Sequence, residues 1–477
     1  MAVEQIIPNT VKSVTDYNYV GSSTLAQGIH MPQVDKDLVR RYGRQDLTGF
    51  IEMLSNKEEV AGLEITHYEK DFIHSLVKFD ASTGTAATKT LSIASAYSFN
   101  ISANTSPYIA TGTTATYTPR KYDIIEFPDG TEAQVTAVSG SSVTVYPTNA
   151  SSIPAVTTSD EIIIKGNAMN EGSSPVDSRQ SRLLDEVNYV QIFRDDIEVT
   201  NTEAGMESWI ELEGPNGQKG YVYYLEALAD TYHRFRNERE LQLLTGQKLT
   251  NATLAQQSGF ETVVKTEGLI PQIENGGIVE DYSTSSGLTM TDIDNMILTM
   301  DKFRSGREHM IMCGIELRQD INELFRGEVT SGGFDAAKNG GIVFQTFNGE
   351  RAEALNFDFD AFTQMGYRFA VQQSQIFSDP NTLGAAGHKY KGLGIVIPTD
   401  NQAVYNSRNA TTAVTVPSLT LMHTSDTQGS REMREWVTGY GMGARTNGDD
   451  KFVVHYLSQS GLRVAAKNRF GLFNPTS

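Results

Sequence analysis

Residues 221–246 read YVYYLEALADTYHRFRNERELQLLTG, and the periodicity of this stretch decides the fold class. Tyr221, Leu225, Leu228, Tyr232 and Phe235 recur at spacings of 4, 3, 4 and 3, which lines up one face of an α-helix. The same register puts Asp230–Arg234, Arg234–Glu238 and Arg236–Glu240 at i,i+4 on the solvated side, where such pairs contribute a few tenths of a kcal/mol each. Gly246, directly after Thr245, suits a helix stop. At ~1.5 Å per residue the helix spans roughly 39 Å. Core helices of α/β enzymes usually run shorter.

Upstream of this helix, residues 60–80 (VAGLEITHYEKDFIHSLVKFD) and 187–203 (VNYVQIFRDDIEVTNTE) read as two extended strands, expected to form a hairpin. A long insertion separates them. Its first part, residues 81–118, holds 16 Ser or Thr, no Asp or Glu, and Lys89 as its one basic residue. Disorder would be the bland reading of such a composition. The alternation of Leu91, Ile93, Tyr97, Phe99 and Ile101 argues instead for a strand with one apolar face. YDIIEF (122–127), EAQVTAV (132–138), SVTVYP (142–147) and EIIIKG (161–166) follow, with Asp129-Gly130 and Ser139-Gly140 between them. Short strands joined by such turns predict antiparallel hairpins. Residues 80–166 are therefore expected to form a small β-barrel or sandwich plugged into the hairpin tip.

Residues 1–46 carry turn residues and little periodicity, as an extended arm would. Leu47, Phe50, Ile51 and Leu54 then mark a short helix. Past the long helix, Thr289 and Asp292 are spaced for a capping box. Ile293, Met296, Ile297, Met300 and Phe303 form the stripe of a second helix that Gly306 would end. The strand HMIMCG (309–314) and a helix over 316–326 come next. Strand patterns recur at 341–347, 355–362, 392–398 and 452–458. The whole is an α+β chain of about three domains.

Composition narrows the function. The chain has 477 residues, 39% of them hydrophobic, which is enough for a sizeable core. Lys plus Arg total 39 against 58 Asp plus Glu, a net charge of −19. Tight wrapping of nucleic acid needs a basic footprint and is not expected, although a surface that merely faces DNA is compatible with this charge. No apolar run reaches the ~20 residues of a membrane helix, and MAVEQIIPNT does not read as a signal peptide. A single cysteine, Cys313, precludes an intrachain disulfide, and its apolar setting reads as a buried thiol.

The chain offers little chemistry. No phosphate loop, H-E-x-x-H or G-x-S-x-G is present, and GYGMGARTNG (439–448) has Ala444 where a dinucleotide fingerprint wants glycine. His67 and His74 are seven apart, but their segment alternates like a strand. The pairs Asp292/Asp294, Asp358/Asp360 and Asp449/Asp450 have ordinary explanations in capping, strand edges and turns. No catalytic, cofactor-binding or metal residue is assigned.

The order of parts resembles the major capsid protein of tailed phages, the Hong Kong-type capsid fold. The resemblance rests on IEVTNTEAG (197–205), LLTG (243–246), MTDIDNMILTMDKFRSGREHMIMCG (290–314) and FVVHYLSQSGLRVAAKNRFGLFNP (452–475). Length, acidity and the insertion are most similar to crAss-like phages. The resemblance implies an N-terminal arm (1–50), an extended loop (51–79 and 167–205) and an inserted β-domain (80–166). It also implies a peripheral domain with a spine helix (206–279 and 451–477) and an axial domain (280–450). Tip loops at 330–341 and 401–413 would meet around the capsomer centre. The implied function is that of a non-enzymatic subunit that self-assembles as hexamers and pentamers into an icosahedral virion shell. Its implied partners are portal, scaffold and auxiliary capsid proteins, with packaged DNA faced but not gripped, and synthesis in the host bacterial cytoplasm. Candidates for contact between subunits are Leu47 and Phe50 on the short helix, and Arg234, Glu238 and Arg239 off the apolar stripe of the long one. The competing readings are the shell of a bacterial nanocompartment, a hydrolase with an accessory β-domain, and a phage surface adhesin.

Overall fold

The structure is a computed structural model that describes residues 56–70, 76–85, 88–93, 97–99, 108–110, 119–139, 142–156, 161–174, 176, 183–213, 219–222, 224–249, 263–331, 361–385, 389–399, 401–405, 413–439 and 448–476. The arm at 1–46, the short helix near Leu47, the strand at 341–347 and most of both tip loops lie outside them. Two compact units divide the chain: residues 1–44, 196–233 and 436–455, and residues 45–195, 234–435 and 456–477.

The larger unit is built on a six-stranded mixed sheet. Its order is Ile278–Ser283, Gly471–Thr476, Gly394–Pro398, Glu308–Cys313, Tyr367–Gln373 and Ala361–Gln364. Glu308–Cys313 runs parallel to Tyr367–Gln373 and antiparallel to Gly394–Pro398. Both faces of the central strands Glu308–Cys313 and Gly394–Pro398 are covered, which is why these two read as apolar runs in sequence, whereas Tyr367–Gln373 alternates buried and exposed positions. Successive side chains sort between two cores with a period of two. Ile311, Cys313, Val396 and Phe473 join one cluster with Ile293, Met296, Ile297 and Met300 of helix Met290–Lys302 and Leu317, Ile321 and Phe325 of helix Ile315–Ser331. Met312, Ile395, Ile397 and Leu472 join the other, with Leu243, Leu244, Leu269, Ile270 and Ile273. Burying each such side chain contributes about 1.5–3 kcal/mol.

The local signals at helix Met290–Lys302 are met in part. Thr289 Oγ1 accepts from the Asp292 N–H (3.4 Å) while Asp292 Oδ2 accepts from the Thr289 N–H (2.9 Å), closing the capping box. The helix stops before Gly306: Phe303 caps it, and Arg304 takes the left-handed conformation at φ 53°.

A second sheet runs in the order Asn56–Val60, Leu419–Asp426, Lys451–Val464 and Gln191–Thr200. Asn56–Val60 is parallel to its neighbour, and Leu419–Asp426 is antiparallel to Lys451–Val464. The insertion contains a closed six-stranded barrel, ordered Glu161–Asn167, Leu76–Thr85, Thr88–Ile93, Ser142–Pro147, Glu132–Ser139 and Asp123–Glu126. Leu91, Ile125, Val135, Val143, Val145 and Ile162 fill it from alternate positions. Tyr97–Phe99 pairs with Tyr108–Ala110 in a separate small ladder, and Ile101 lies outside the described residues.

Three boundaries differ from the sequence reading. Residues 60–80 are not one strand: Asn56–Val60 ends in a bend at 61–63, Glu64–Lys70 follows, and Leu76–Thr85 already belongs to the barrel. Residues 187–203 also divide, at Val190, into the end of Leu183–Tyr189 and the separate strand Gln191–Thr200. The hairpin therefore pairs Glu64–Lys70 with Leu183–Tyr189, from Leu183↔Lys70 to Tyr189↔Glu64. The long helix starts at Tyr224 rather than Tyr221, because Lys219–Val222 is taken up in a ladder with Glu207–Glu213.

The smaller unit holds that ladder and a short helical turn, Asn201–Ala204, whose Thr200 cap accepts from the Glu203 N–H. Lys451 pairs with Glu198 at 2.8 Å, and Asn201 binds Asp450 through both backbone and side chain. Trp436 stacks on His455, whose Nε2 lies 2.8 Å from Thr438 Oγ1.

Candidate assembly interface

The hairpin Glu64–Lys70/Leu183–Tyr189 is held to the rest of the larger unit along one side. Alternation turns Ile65 and His67 inward and leaves Glu64, Thr66 and Tyr68 outward, with Tyr68 72% exposed. Ile65 packs with Val190 and Met422. Ala466 donates its N–H to Glu69 at 2.7 Å, Lys467 pairs with Glu186 at 2.7 Å, and Lys248 donates to the Val187 carbonyl at 2.7 Å. Burial works to raise the Glu69 carboxyl, but the bonds from His67 and the Ala466 N–H outweigh it and hold the group below its usual range. At Gly461 a Cβ would lie 2.5 Å from the Tyr189 carbonyl oxygen, so only glycine permits this approach.

Asn188 fixes the hairpin's base. It is 6% exposed and uses its whole carboxamide. Nδ2 donates to the carbonyls of Leu462 (2.7 Å) and Glu267 (3.1 Å), while Oδ1 accepts the N–H groups of Glu267 (2.8 Å) and Tyr189 (2.8 Å). Two donors facing carbonyls and one acceptor facing N–H groups leave a single orientation of the amide. Glu267 in turn stands beside the C-terminal end of the long helix, where the Gly268 N–H donates to the Gly246 carbonyl at 2.7 Å.

The candidate contact residues fall into three groups. Leu47 and Phe50 lie outside the described residues. Arg234 and Glu238 are exposed, and Arg234 pairs with Asp195 at 2.9 Å. Arg239 is corrected: it is 1% exposed and donates to the Glu432 carbonyl at 3.4 Å. Phe235, Arg239 and Leu243 stand at i, i+4 and i+8, all buried, so the apolar stripe runs straight through the arginine. Glu240 is buried as well, so it does not lie on the solvated face where the spacing had placed it. Continuing the four-residue step past Phe235 would have located Arg239. Asn188 carried no comparable signal.

Among the described residues no group of His, Cys, Asp and Glu could hold a metal ion. No described helix is long and apolar enough to cross a membrane. Burial pushes the Cys313 thiol up to about 12, which removes it as a nucleophile at neutral pH. Asp292 serves the capping box and Asp294 accepts from Gln364 at 2.9 Å. His67 lies on a strand and bonds Glu69, while His74, Asp358, Asp360 and residues 440–447 lie outside the described residues.

The family model described as SU10 major capsid protein matches residues 46–382, well over half of the chain. No curated protein matches the sequence. Among solved structures, the chain is similar to that of the mature capsid of bacteriophage PhiM1, with a TM-score of 0.42 and 8% identity over 98% of this chain and 97% of that one. It is similar to the capsid chain of cyanophage P-SCSP1u at a TM-score of 0.42 and 8% identity, over 97% and 100%. The SrpI encapsulin of Synechococcus elongatus PCC 7942 gives 0.34 and 10% over 62% and 77%. The chain belongs to the SU10 major capsid protein family and is a structural subunit of a phage virion capsid, not an enzyme.

Proposed function

We propose that this subunit follows the Hong Kong-type plan. The arm and extended loop reach neighbouring copies, the long helix braces the body, and residues 280–450 converge around the centres of hexamers and pentamers. These close an icosahedral shell around the genome of a tailed double-stranded DNA phage. Portal, scaffold and auxiliary proteins are the further partners, the packaged DNA is faced without being gripped, and the shell is made in the host bacterial cytoplasm. Length, acidity and the insertion favour the crAss-like subgroup.

The observation that carries this reading is the hairpin. It is clamped on one side by Asn188, Glu186 and Glu69, yet presents Tyr68 outward. A strut braced along one side that leaves Tyr68 outward suits a surface that lies over a neighbouring copy. Weak contacts repeated over many copies add through multivalency. Co-expression of the full chain with its scaffold partners is expected to yield closed particles by electron microscopy. A chain that remains a folded monomer at every concentration and salt, with those partners present, refutes the proposal.

A further inference from the structure

Strand Glu308–Cys313 separates two patches of opposite sign in the larger unit. At its N-terminal end, Lys302, Arg304, Arg307 and Arg368 are all exposed. The Arg368 N–H donates to the Arg307 carbonyl at 2.7 Å, which sets the two arginines side by side. Arg304 occupies the left-handed region at φ 53° just after the helix end, a conformation disfavoured for a residue with a side chain. None of the four forms an ion pair among the described residues. Exposed Asp301 and Glu308 share the corner and offset part of its charge.

Past the other end of the strand, helix Ile315–Ser331 carries Glu316, Asp320 and Glu323 at i, i+4 and i+7, one acidic line along its surface. Glu316 and Glu323 are exposed, and Asp320 is half-buried. These carboxylates form no ion pair among the described residues either. Glu323 accepts only the neutral Gln319 amide, at 2.8 Å. Arg318, two positions from both Glu316 and Asp320, falls on the other side of the helix. Burial raises the Asp320 carboxyl against the lowering bond it accepts from the Leu288 N–H, and the like charges of Glu323 and Glu316 add to the rise.

Helix Ile315–Ser331 packs back along the sheet, yet none of its three carboxylates pairs with the four basic side chains of the corner within one subunit. We propose that the basic corner of one subunit docks on the acidic ridge of the next copy of this chain, a head-to-tail contact that repeats around a ring. Such a contact joins two different faces and so closes into rings when its rotation permits. The inference rests on the shell-subunit reading and adds the residues of one intersubunit face to it. A polyanion such as duplex DNA is the weaker occupant. With 58 acidic against 39 basic residues the chain as a whole carries the same sign of charge as DNA, and the corner itself holds two carboxylates.

The test uses three full-length variants: Arg304→Glu with Arg368→Glu, Glu316→Lys with Glu323→Lys, and all four substitutions together. Circular dichroism and thermal melting check folding, while analytical ultracentrifugation and electron microscopy measure the assembled fraction at low salt. Each charge-reversed pair is expected to lower that fraction about tenfold or more, as a loss of ~1.4 kcal/mol per contact would. The four-fold variant, with both faces exchanged, is expected to recover most of it. Folded pair variants that assemble like wild type overturn the proposal, as does a four-fold variant no better than the pairs. Normal particles of the arginine variant that retain less DNA overturn it in favour of nucleic acid. A wild-type control, co-expressed with its scaffold partners like the variants, that forms no particles refutes the shell reading, and this contact with it.

Discussion

Replacing Asn188 tests how the hairpin is held. In Asn188→Ala the carbonyls of Leu462 and Glu267 and the N–H groups of Glu267 and Tyr189 all lose their partner in a buried setting. Each bond contributes roughly 0.5–1.5 kcal/mol net, and each orphaned buried group costs about 1–3 kcal/mol, so with partial relaxation the loss comes to about 3–5 kcal/mol. Asn188→Asp separates the two halves of the network. An ionised carboxylate can still accept from Glu267 and Tyr189, but it points its other oxygen at two carbonyls. At pH 7 it should therefore destabilise more than Asn188→Ala. The deficit should shrink on acidification toward pH 5, because burial and the facing carbonyls raise the new carboxyl and its protonated form can donate one bond. Urea unfolding of the full chain at both pH values gives the comparison, and amide exchange at Tyr189 and Glu267 locates it. If Asn188→Asp is no worse than Asn188→Ala at pH 7, the Nδ2 donors do not hold those carbonyls and the reasoning fails.

Five further outcomes are expected. Burial, helped by Arg469, holds the His309 imidazole down at about 4 in the fold against 6.5 unfolded, so the unfolded chain binds the extra proton. Stability is then complete above pH 6.5 and falls by ~3 kcal/mol as pH drops to 4, and denaturation of His309→Phe should lose that slope. Arg234→Glu should leave the melting temperature near wild type and reduce particle yield, since an exposed pair contributes less than ~1 kcal/mol to folding. Arg239→Glu should instead unfold the subunit or lower its melting temperature sharply, because it forces an anion into a buried site beside a carbonyl. Cys313 should resist alkylation at pH 7.5 until urea unfolds the chain, as followed by mass spectrometry. Replacing Leu76–Asn167 by a Gly/Ser link should leave the body folded, since the barrel carries its own core, and should lower the particles' heat resistance; misfolding of the body would place that core within it.

Much of the fold was legible because periodicity reports burial. The capping box at Thr289, the stripe from Ile293 to Met300 and the barrel strands each carry their signal within a dozen residues. Register between distant strands carries no such signal. Nothing local in 187–203 says that the chain breaks at Val190, or that Leu183–Tyr189 rather than Gln191–Thr200 pairs with Glu64–Lys70. The break follows from tertiary bonds: the Val190 N–H donates to Leu63, and Asn188 reaches Leu462, 274 positions away. Pairings of that range are set by the whole fold. Tyr221 shows the same limit at the long helix, where a ladder partner at Glu207–Glu213 overrode a good helical spacing.

Arg239 failed for a different reason. Its spacing places it on the apolar stripe, whereas its charge points to solvent. A long helix that carries Phe235, Arg239 and Leu243 on one line must bury the guanidinium or twist its own stripe away from the core. Burial without hydrogen bonds would cost several kcal/mol, so the site must supply acceptors such as the Glu432 carbonyl. Glu432 also pairs through its side chain with Lys57, at 2.7 Å, on strand Asn56–Val60. One residue thus receives the long helix through its backbone and the first strand through its carboxylate. A buried charge in that position makes helix and strand depend on a common anchor, and an apolar side chain of equal volume would pack there without linking them.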